Sequence, residues 1–456
     1  MRNILIIGAG RSATSLIKYL LDKSQSENLF ITIGDISLNS AQKFTEGHPN
    51  AKGILLDVFN DKQRVEAVQN SNLVISMLPA RYHMEVAKDC LKYGKHLVTA
   101  SYVSKEMQSL NAKAKAKELV FMNEIGLDPG IDHMSAMQVI DRITDKGGKM
   151  LLFESFTGGL IAPESDTNLW NYKFTWNPRN VVLAGQGGAA EFIQEGRNKY
   201  IPYHRLFRRT EIIHIDGYGK FEVYANRNSL KYRSVYNLKD ILTLYRGTIR
   251  RVGFSKAWNF FVQLGMTDDS YNIPNSENLT YREYLNLFLP YSPTDSVELK
   301  LRHNLKIDQD DLLWEKLLEL DIFNGEKLIG LKNATPAQAL QQILMEKWTL
   351  EEEDKDMIVM YHKFGYELEG KKYQIDSSMV IQGDDQTYTA MAKTVGLPVA
   401  IASLKILNKE ITTFGVQLPI RKNIYDPILK ELEDYGVHFN EKEGEYLGYN
   451  PDNIGS

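Results

Sequence analysis

Short apolar runs alternate with amphipathic segments along the first third of the chain. Six runs rich in Ile, Leu and Val lie at Asn3–Gly8, Leu29–Asp35, Ala51–Asp57, Leu73–Leu78, His96–Ala100 and Glu118–Glu124. The segments between them, such as SATSLIKYLLDK and RYHMEVAKDCLKYG, have apolar residues at helical spacing. Continuous apolar strands separated by helices are typical of a parallel sheet covered on both faces. The pattern predicts a doubly wound α/β domain.

The pattern changes after Glu124, where we expect a second domain. Alternation resumes at 356–383 as a hairpin that turns at Glu369–Lys371, and the apolar stretch 387–407 indicates a helix broken near Gly396 and Pro398. The predicted organisation has three parts: a Rossmann dinucleotide-binding domain (1–124, with a returning helix at about 387–408), an α+β substrate-binding and dimerisation domain (125–256, 348–386 and 409–456), and an inserted helical subdomain (257–347).

A glycine motif stands where the first predicted strand meets the first predicted helix. Gly8, Gly10 and Ala13 form G-x-G-x-x-A. In a dinucleotide site the first glycine permits the tight turn, the second lets backbone approach the pyrophosphate, and the small third residue allows close packing. The helix N-terminus then attracts the anion. A structural bend is the alternative, but the position after strand one favours a dinucleotide site.

Asp35 ends the second predicted strand. A carboxylate there can accept hydrogen bonds from the adenosine ribose and would repel a 2′-phosphate, so NAD is expected, with NADP possible. Arg11, in the predicted phosphate loop, could compensate a 2′-phosphate. The alternative reading makes Asp35 a turn or capping residue.

Composition and charge narrow the class of partner. Of the 456 residues, 43% are hydrophobic and 25% charged, with a net charge of −4 and no basic stripe, so we expect no nucleic-acid or membrane partner. No stretch approaches the ~18 apolar residues of a membrane span, and the N-terminus does not resemble a signal peptide. Cys90 is the only cysteine, which fits a cytoplasmic protein without disulfides, and no metal site is expected.

The segment GLDPGID follows the last predicted strand of the first domain and should lie beside the nicotinamide, because such sheets bind ligands at the carboxyl ends of their strands. Asp128, Asp132 and His133 are therefore candidate pocket residues. Asp132 could instead cap a helix, and His133 could be a packed residue in its first turn.

Arginines and tyrosines cluster further along, in YANRNSLKYRSVYNL and TLYRGTIRRVGF. Guanidinium groups bind carboxylates through paired hydrogen bonds, so these arginines are candidates for holding an acidic substrate. For each of them an ordinary surface role is the alternative. The candidates are Arg227, Arg246, Arg250 and Arg251.

Six segments spread over nearly the whole chain carry a resemblance. They are Val98–Ser104, Asn123–Met137, Ser155–Val182, Tyr224–Tyr232, Leu244–Phe254 and Thr394–Ala402. The chain resembles the saccharopine dehydrogenase family, and in particular its glutamate-forming branch, also called saccharopine reductase. GLDPGIDHM and the GGL and APE sequences are its most specific parts. Branches that build carboxylated polyamines share the fold but resemble these segments less well.

The resemblance implies a reversible reaction in which saccharopine, NAD(P) and water give L-glutamate and 2-aminoadipate 6-semialdehyde. Hydride leaves the lysine ε-carbon, and water hydrolyses the resulting imine. The substrate-binding residues that it implies are Ser101, Leu127, Asp128, Arg227, Thr248, Ile249 and Arg250. The cofactor-binding residues are Gly8, Gly10, Arg11, Ser12, Ala13, Asp35, Asp57, Val58, Ser76, Ala100, Gly126 and Trp176.

The chemistry needs a group that deprotonates the amine and orients water. Asp128 is the predicted catalytic residue, and His133 is a second candidate because of its pKa range. Relatives commonly have cysteine where this chain has Thr157, so a thiol is not required here if the chemistry is the same.

Two other functions stay open. A carboxynorspermidine-type imine reductase would need an acidic subsite for a diamine, which the extra arginines disfavour. A dinucleotide-binding sensor without activity would not need the predicted substrate residues. Apolar and aromatic residues in the second domain also suggest a homodimer.

Overall fold

The computed structural model describes residues 1–448, and the elements alternate as the sequence pattern predicts. The strands are β1 (Arg2–Ile7), β2 (Leu29–Asp35), β3 (Ala51–Leu55), β4 (Leu73–Ser76), β5 (His96–Val98), β6 (Val120–Met122), β7 (Lys149–Ile161), β8 (Ala190–Gln194), β9 (Arg197–Ile201), β10 (Thr210–Ile215), β11 (Gly219–Ala225), β12 (Thr243–Arg251), β13 (Asp356–Leu368), β14 (Lys371–Gln382), β15 (Gly415–Gln417) and β16 (Asn440–Glu445).

The helices separate the strands of the first sheet and then form about half of residues 254–348. They are α1 (Thr14–Asp22), α2 (Leu38–Gln42), α3 (Asp61–Gln69), α4 (His83–Tyr93), α5 (Lys105–Ser109), α6 (Asn111–Ala116), α7 (Ile131–Asp145), α8 (Pro178–Val182), α9 (Tyr203–Leu206), α10 (Tyr232–Val235), α11 (Phe254–Leu264), α12 (Tyr281–Asn286), α13 (Val297–Leu305), α14 (Leu312–Glu319), α15 (Pro336–Trp348), α16 (Ala390–Leu407) and α17 (Lys422–Glu433).

The chain forms two compact units. The first contains Met1–Met150 and Tyr366–Tyr446, and the second contains Leu151–Gly365 with Leu447 and Gly448. The first unit therefore includes α7 and α17, which the predicted boundaries assign to the second domain. Residues 257–347, the predicted helical subdomain, contain helices and connecting segments and belong to the second unit. The predicted range 409–456 ends in residues 449–456, which lie outside the described residues.

The first unit is built around a seven-stranded sheet in the order β15-β6-β5-β4-β1-β2-β3. Every pairing in it is parallel, which confirms the doubly wound class. The predicted six strands are all present. The seventh, β15, was not predicted because it has only three residues and pairs with β6, which lies far away in sequence.

Helix α16 lies against the start of α1 in the first unit, and the predicted break in it is wrong. The helix is continuous over Ala390–Leu407 with Pro398 inside it. A side chain at Gly396 would come within 2.9 Å of the Leu16 nitrogen and 3.1 Å of the Ser12 carbonyl oxygen. Glycine thus permits close helix packing, rather than marking a break.

The expectation that no stretch approaches a membrane span is also corrected at α16. Its 18 residues are long and apolar enough to span a membrane by composition, but 78% of them are buried in the folded chain. This burial is typical of the core helix of a globular protein.

The second unit contains a mixed sheet with strands in the order β10-β11-β12-β7-β13, and β8 pairs with β12 and β9. The β12–β7 pair is parallel, and the β10–β11 and β11–β12 pairs are antiparallel. The predicted hairpin turn is confirmed at Glu369 and Gly370, between β13 and β14. Thr335 caps α15 through a capping box with Gln338, and Pro336 begins the helix, where its missing N–H costs no hydrogen bond.

Candidate active site

The glycine loop between β1 and α1 has the geometry of a phosphate cradle. Gly8 has a φ of +102°, and a side chain there would meet the Met77 carbonyl oxygen at 3.0 Å, so the turn requires glycine. A Cβ at Gly10, in contrast, would meet nothing within 4 Å. The loop therefore leaves open space where backbone can approach a diphosphate.

A 3-10 turn (Arg11–Ala13) leads from this loop into α1, and no side chain caps it. Ala13 donates to the Gly10 carbonyl, whereas the amides of Arg11 and Ser12 have no acceptor within residues 1–448. Such N–H groups attract an anion. A cleft beside them is lined by Ala9, Gly10, Arg11, Thr14, Ser40, Lys43, Phe44, Gln386 and Thr387.

Asp35 joins the glycine loop to the end of β2. Its Oδ2 accepts the Ala9 amide at 2.8 Å, and its Oδ1 accepts the Ser37 amide at 2.9 Å. The carboxylate is thus a turn residue, as the alternative reading had it, and it is also half-buried beside the cleft. Each oxygen keeps a second lone pair for a ribose hydroxyl.

The other predicted cofactor residues of the first unit follow the strand ends. Asp57 Oδ1 accepts the Phe59 amide at 2.9 Å, and the Val58 carbonyl accepts Arg64 Nη1 at 2.5 Å, so both help to shape the turn after β3. Ser76 ends β4, and Ala100 and Gly126 follow β5 and β6. All lie at the carboxyl edge of the parallel sheet, where such folds bind dinucleotides.

A buried histidine connects two of the predicted site residues. His83, the first residue of α4, has its Nδ1 2.8 Å from Ser76 Oγ and its Nε2 2.7 Å from Ser101 Oγ. Burial lowers the pKa of His83 to about 4. The ring is therefore neutral at physiological pH.

The segment after β6 folds into a tight loop that presents Asp128. A side chain at Gly130 would come within 2.0 Å of the Gly126 oxygen, and one at Gly126 within 2.9 Å of Ala100 Cβ, so both positions need glycine. Tyr102 Oη donates to Asp128 Oδ1 at 3.1 Å. Asp128 is half-buried, whereas the neighbouring Leu127 is buried.

His133 and Asp132 lie in the first turn of α7 and not in the open site. His133 is fully buried; its Nε2 is 2.9 Å from Glu124 Oε2, and its Nδ1 is 3.6 Å from Asp132 Oδ2. Asp132 Oδ1 accepts the Gly130 amide at 2.6 Å, and Gly130 itself is the N-cap. His133 is thus the packed first-turn residue of the alternative reading, and with Asp132 it holds the loop that carries Asp128.

In the second unit, the alternation of β12 separates the predicted substrate residues. Thr248 and Arg250 share one face of the sheet, while Ile249 points to the other face and is fully buried. Thr157 pairs with Thr248 in register, and its buried Oγ1 has no hydrogen-bond partner among residues 1–448. Ile249 can therefore offer a ligand only its backbone.

Arg250 is a buried cation that forms no ion pair with any residue of the described range 1–448. It is 4% exposed, and within that range its Nη1 donates only to the Ile249 carbonyl and its Nε has no partner. Glu222 lies opposite it in the β11–β12 register, but its carboxylate accepts the Gly253 and Ser255 amides at the start of α11. The rings of Tyr172, Tyr224 and Phe254 surround the guanidinium at 5.0–5.8 Å from their centroids. Such a group is suited to an incoming carboxylate.

Two family models of known proteins match successive ranges of the chain. Residues 4–122 match the saccharopine dehydrogenase NADP binding domain, and residues 126–437 match the saccharopine dehydrogenase C-terminal domain. The chain belongs to the saccharopine dehydrogenase family. One relative, the saccharopine dehydrogenase [NADP(+), L-glutamate-forming] of Schizosaccharomyces pombe, is 33% identical over 97% of this chain and 99% of its own length.

Other members of the family extend this result. The apo structure of saccharopine dehydrogenase (L-Glu forming) from Saccharomyces cerevisiae matches 97% of this chain and all of its own chain, with a TM-score of 0.88 and 30% identity. The mitochondrial alpha-aminoadipic semialdehyde synthase of Rattus norvegicus is 33% identical over 96% of this chain, which covers 47% of that protein.

Membership confirms the predicted family, the fold class and the class of nicotinamide-dinucleotide-dependent oxidoreductases. The names of the matched domain and relatives favour NADP over the expected NAD. No group of three or more His, Cys, Asp or Glu that could hold a metal ion exists within residues 1–448.

Two residues that the resemblance implies, Arg227 and Trp176, also lie in the second unit. Arg227 is exposed, with its Nη1 3.2 Å from where a Cβ on Gly187 would stand, and Trp176 is half-buried near Phe174. No observation tests their roles, which stay predictions.

Sequence reasoning missed His83 and Tyr102. Both follow a strand of the parallel sheet closely, His83 after β4 and Tyr102 after β5. That position at the carboxyl edge is a signal that could have identified them. The hydrogen bonds of His83 to Ser101 and of Tyr102 to Asp128 could not be predicted from sequence spacing alone.

Proposed function

We propose that this chain catalyses the reversible, glutamate-forming saccharopine dehydrogenase reaction. Saccharopine, oxidised dinucleotide and water give L-glutamate, 2-aminoadipate 6-semialdehyde, reduced dinucleotide and a proton. The observation that carries the proposal is Arg250, a buried cation that has no carboxylate partner within residues 1–448. Saccharopine has three carboxylates, so a buried and unpaired guanidinium matches its chemistry. The names of the relatives support the same substrate.

The proposed roles follow from what each side chain can donate or accept. Asp128 accepts the proton of the secondary amine and orients water for hydrolysis of the imine, with Tyr102 as its hydrogen-bond donor. Arg250 and Thr248 bind substrate carboxylate. A bound nicotinamide dinucleotide supplies the hydride acceptor.

For the dinucleotide we propose NAD, although the relatives' names favour NADP. The Asp35 carboxylate stands at the end of β2, where it can accept ribose hydroxyls and repels a 2′-phosphate. Arg11 and Lys43 line the same cleft and would favour a 2′-phosphate, so they oppose this proposal.

A spectrophotometric assay tests the proposals for substrate and dinucleotide together. Purified protein is mixed with saccharopine and either NAD or NADP, and reduced dinucleotide is followed by absorbance. We expect turnover with saccharopine and a higher kcat/KM with NAD. Faster turnover with NADP would overturn the dinucleotide proposal and leave the reaction standing.

Carboxynorspermidine is the competing substrate in the same assay. Activity on it without activity on saccharopine would assign the chain to imine reductases of polyamine synthesis. Dinucleotide binding without turnover of either substrate would instead indicate a sensor.

The sequence also supports two proposals of a different kind. The single cysteine, Cys90, supports a cytoplasmic location. The apolar side chain of Ile212, which is exposed on the edge strand β10, supports a homodimer.

A further inference from the structure

His83 lies between the two predicted binding regions of the first unit. One ring nitrogen faces Ser76, a predicted cofactor residue, and the other faces Ser101, a predicted substrate residue. Neither cofactor binding by Ser76 nor substrate binding by Ser101 explains why a histidine is buried between them. Its ring can fix the direction of both hydroxyl groups, because a neutral imidazole has one donor and one acceptor.

The surroundings of Ser76 decide which nitrogen carries the proton. Ser76 is fully buried, and the His83 ring is its only side-chain hydrogen-bond partner within residues 1–448. If Nδ1 carried the proton, the Ser76 hydroxyl proton would have no acceptor, and a buried donor without an acceptor is unfavourable. The Ser76 hydroxyl must therefore donate to Nδ1, which leaves the proton on Nε2.

The surroundings of Ser101 agree with this assignment. Ser101 is only half-buried, so its hydroxyl proton can turn outward when its oxygen accepts from Nε2. Thr99 Oγ1 is also buried, lies 3.3 Å from the same nitrogen and accepts the Ser101 amide. Its contact with the ring is longer than the 2.8 Å between Ser76 Oγ and Nδ1, so the stronger Ser76 hydrogen bond determines the tautomer.

We propose that His83 is a positioning residue, held as its Nε2–H tautomer, which turns the hydroxyl proton of Ser101 toward a carboxylate of the substrate. The inference rests on the proposed function, because it takes Ser101 as a substrate contact. His83 exchanges no proton during the reaction and does not touch the substrate.

Two amide variants separate the two ring nitrogens. In His83→Gln the glutamine amide reaches about as far as Nε2 and keeps a hydrogen-bond donor for Ser101. In His83→Asn the asparagine amide reaches only about as far as Nδ1, so the donor to Ser101 is lost. We expect His83→Asn to raise the KM for saccharopine roughly tenfold, the value of one hydrogen bond. His83→Gln should restore it to within about threefold of the unmodified protein.

Besides the comparison of KM between the two variants, two measurements distinguish a positioning role from a merely structural one. The dissociation constant of the dinucleotide and the pH profile of kcat/KM should be unchanged in His83→Asn. Equal losses in both variants, a weakened dinucleotide affinity, or the loss of an ionisation from the pH profile would overturn the proposal.

The tautomer can be measured without turnover. In the intact protein labelled with ¹⁵N-histidine, long-range ¹H–¹⁵N spectra distinguish protonated from unprotonated ring nitrogens, and His83→Asn identifies the His83 signals among the nine histidines. A protonated Nε2 supports the proposal, and a protonated Nδ1 overturns it. If saccharopine is not oxidised by the unmodified protein, the proposed function fails, while this measurement still tests the hydrogen-bond arrangement.

Discussion

Arg250 shows at the scale of one residue how binding and stability can oppose each other. A buried guanidinium without a counter-ion costs folding free energy, and the three aromatic rings around it offset only part of that cost. Binding of a ligand therefore explains the buried Arg250 better than a contribution to folding stability does.

We predict that Arg250→Met raises the KM for saccharopine roughly 10- to 100-fold, because a charge-assisted hydrogen-bond pair is lost. The free energy of unfolding should be unchanged or slightly higher, as measured by urea denaturation. The matched control is Arg251→Met on the opposite face of β12, which should leave KM unchanged. Equal effects of the two variants would contradict the assignment.

At Gly10 we expect an added side chain to affect dinucleotide binding but not the stability of the fold. Its φ of −75° is open to alanine, and the added Cβ meets nothing. We expect Gly10→Ala to weaken dinucleotide binding at least about tenfold, by fluorescence titration, with no loss of stability. Gly444→Ala, which also has open space, is the control for both measurements.

Asp35 is the residue that we propose sets the choice of dinucleotide, through its single negative charge. We predict that Asp35→Ser raises the ratio of kcat/KM for NADP to that for NAD about tenfold or more, since the repulsion of a 2′-phosphate is removed. The ratio cancels any loss common to both dinucleotides from the missing bond to Ala9. An unchanged ratio would show that Arg11 and Lys43 determine the choice instead.

At the scale of elements, strand alternation distributes charge between the two faces of the second unit's sheet. On the face opposite Arg250, burial and the nearby Glu154 raise the pKa of Glu211 to about 7, against the opposing effect of Lys363 and Arg209. The folded protein therefore binds more protons than the unfolded chain between about pH 4.5 and 7. Stability should fall as pH rises through that range.

Replacing Glu211 tests this linkage. Glu211→Gln should stabilise the protein at pH 8 by on the order of 1 kcal/mol and have little effect at pH 4.5, because the folded protein then already holds the proton. Urea unfolding at the two pH values measures the difference. The exposed Glu353→Gln is the control, and an equal effect at both pH values would contradict the prediction.

At the scale of the whole molecule, the structure changes the reasons for expecting a homodimer. The aromatic residues of the second unit's strands that suggested one, such as Phe156 and Tyr245, are buried within the chain. Exposed apolar side chains remain on the outer strands, Tyr200 on β9 and Ile212 on β10. Strand β10 is an edge of its sheet, and an exposed apolar edge is suited to pairing between copies.

We therefore predict that sedimentation of the intact protein gives twice the chain mass of 52.1 kDa. Ile212→Lys should convert it to a monomer, because a charge at this edge is costly to bury. Leu312→Lys, at an exposed position of α14, should leave the mass unchanged. A monomeric unmodified protein would exclude the homodimer.

The sequence by itself determined those features that depend on neighbouring residues. Period-two and period-3.6 patterns specify strands and helices locally, and the glycine loop, the Thr335 cap and the hairpin turn each lie within a few residues of chain. The family resemblance added the reaction and most candidate residues.

Only the tertiary structure decided the features that depend on residues distant in sequence. Strand β15 exists because β6 pairs with it, and α16 stays continuous because Gly396 meets α1. Register across β7, β11 and β12 left Arg250 without a counter-ion in the described part of the chain, and folding placed His83 between Ser76 and Ser101. Hydrogen bonds and charge pairing are properties of spatial neighbours, so no local pattern in the sequence specifies them.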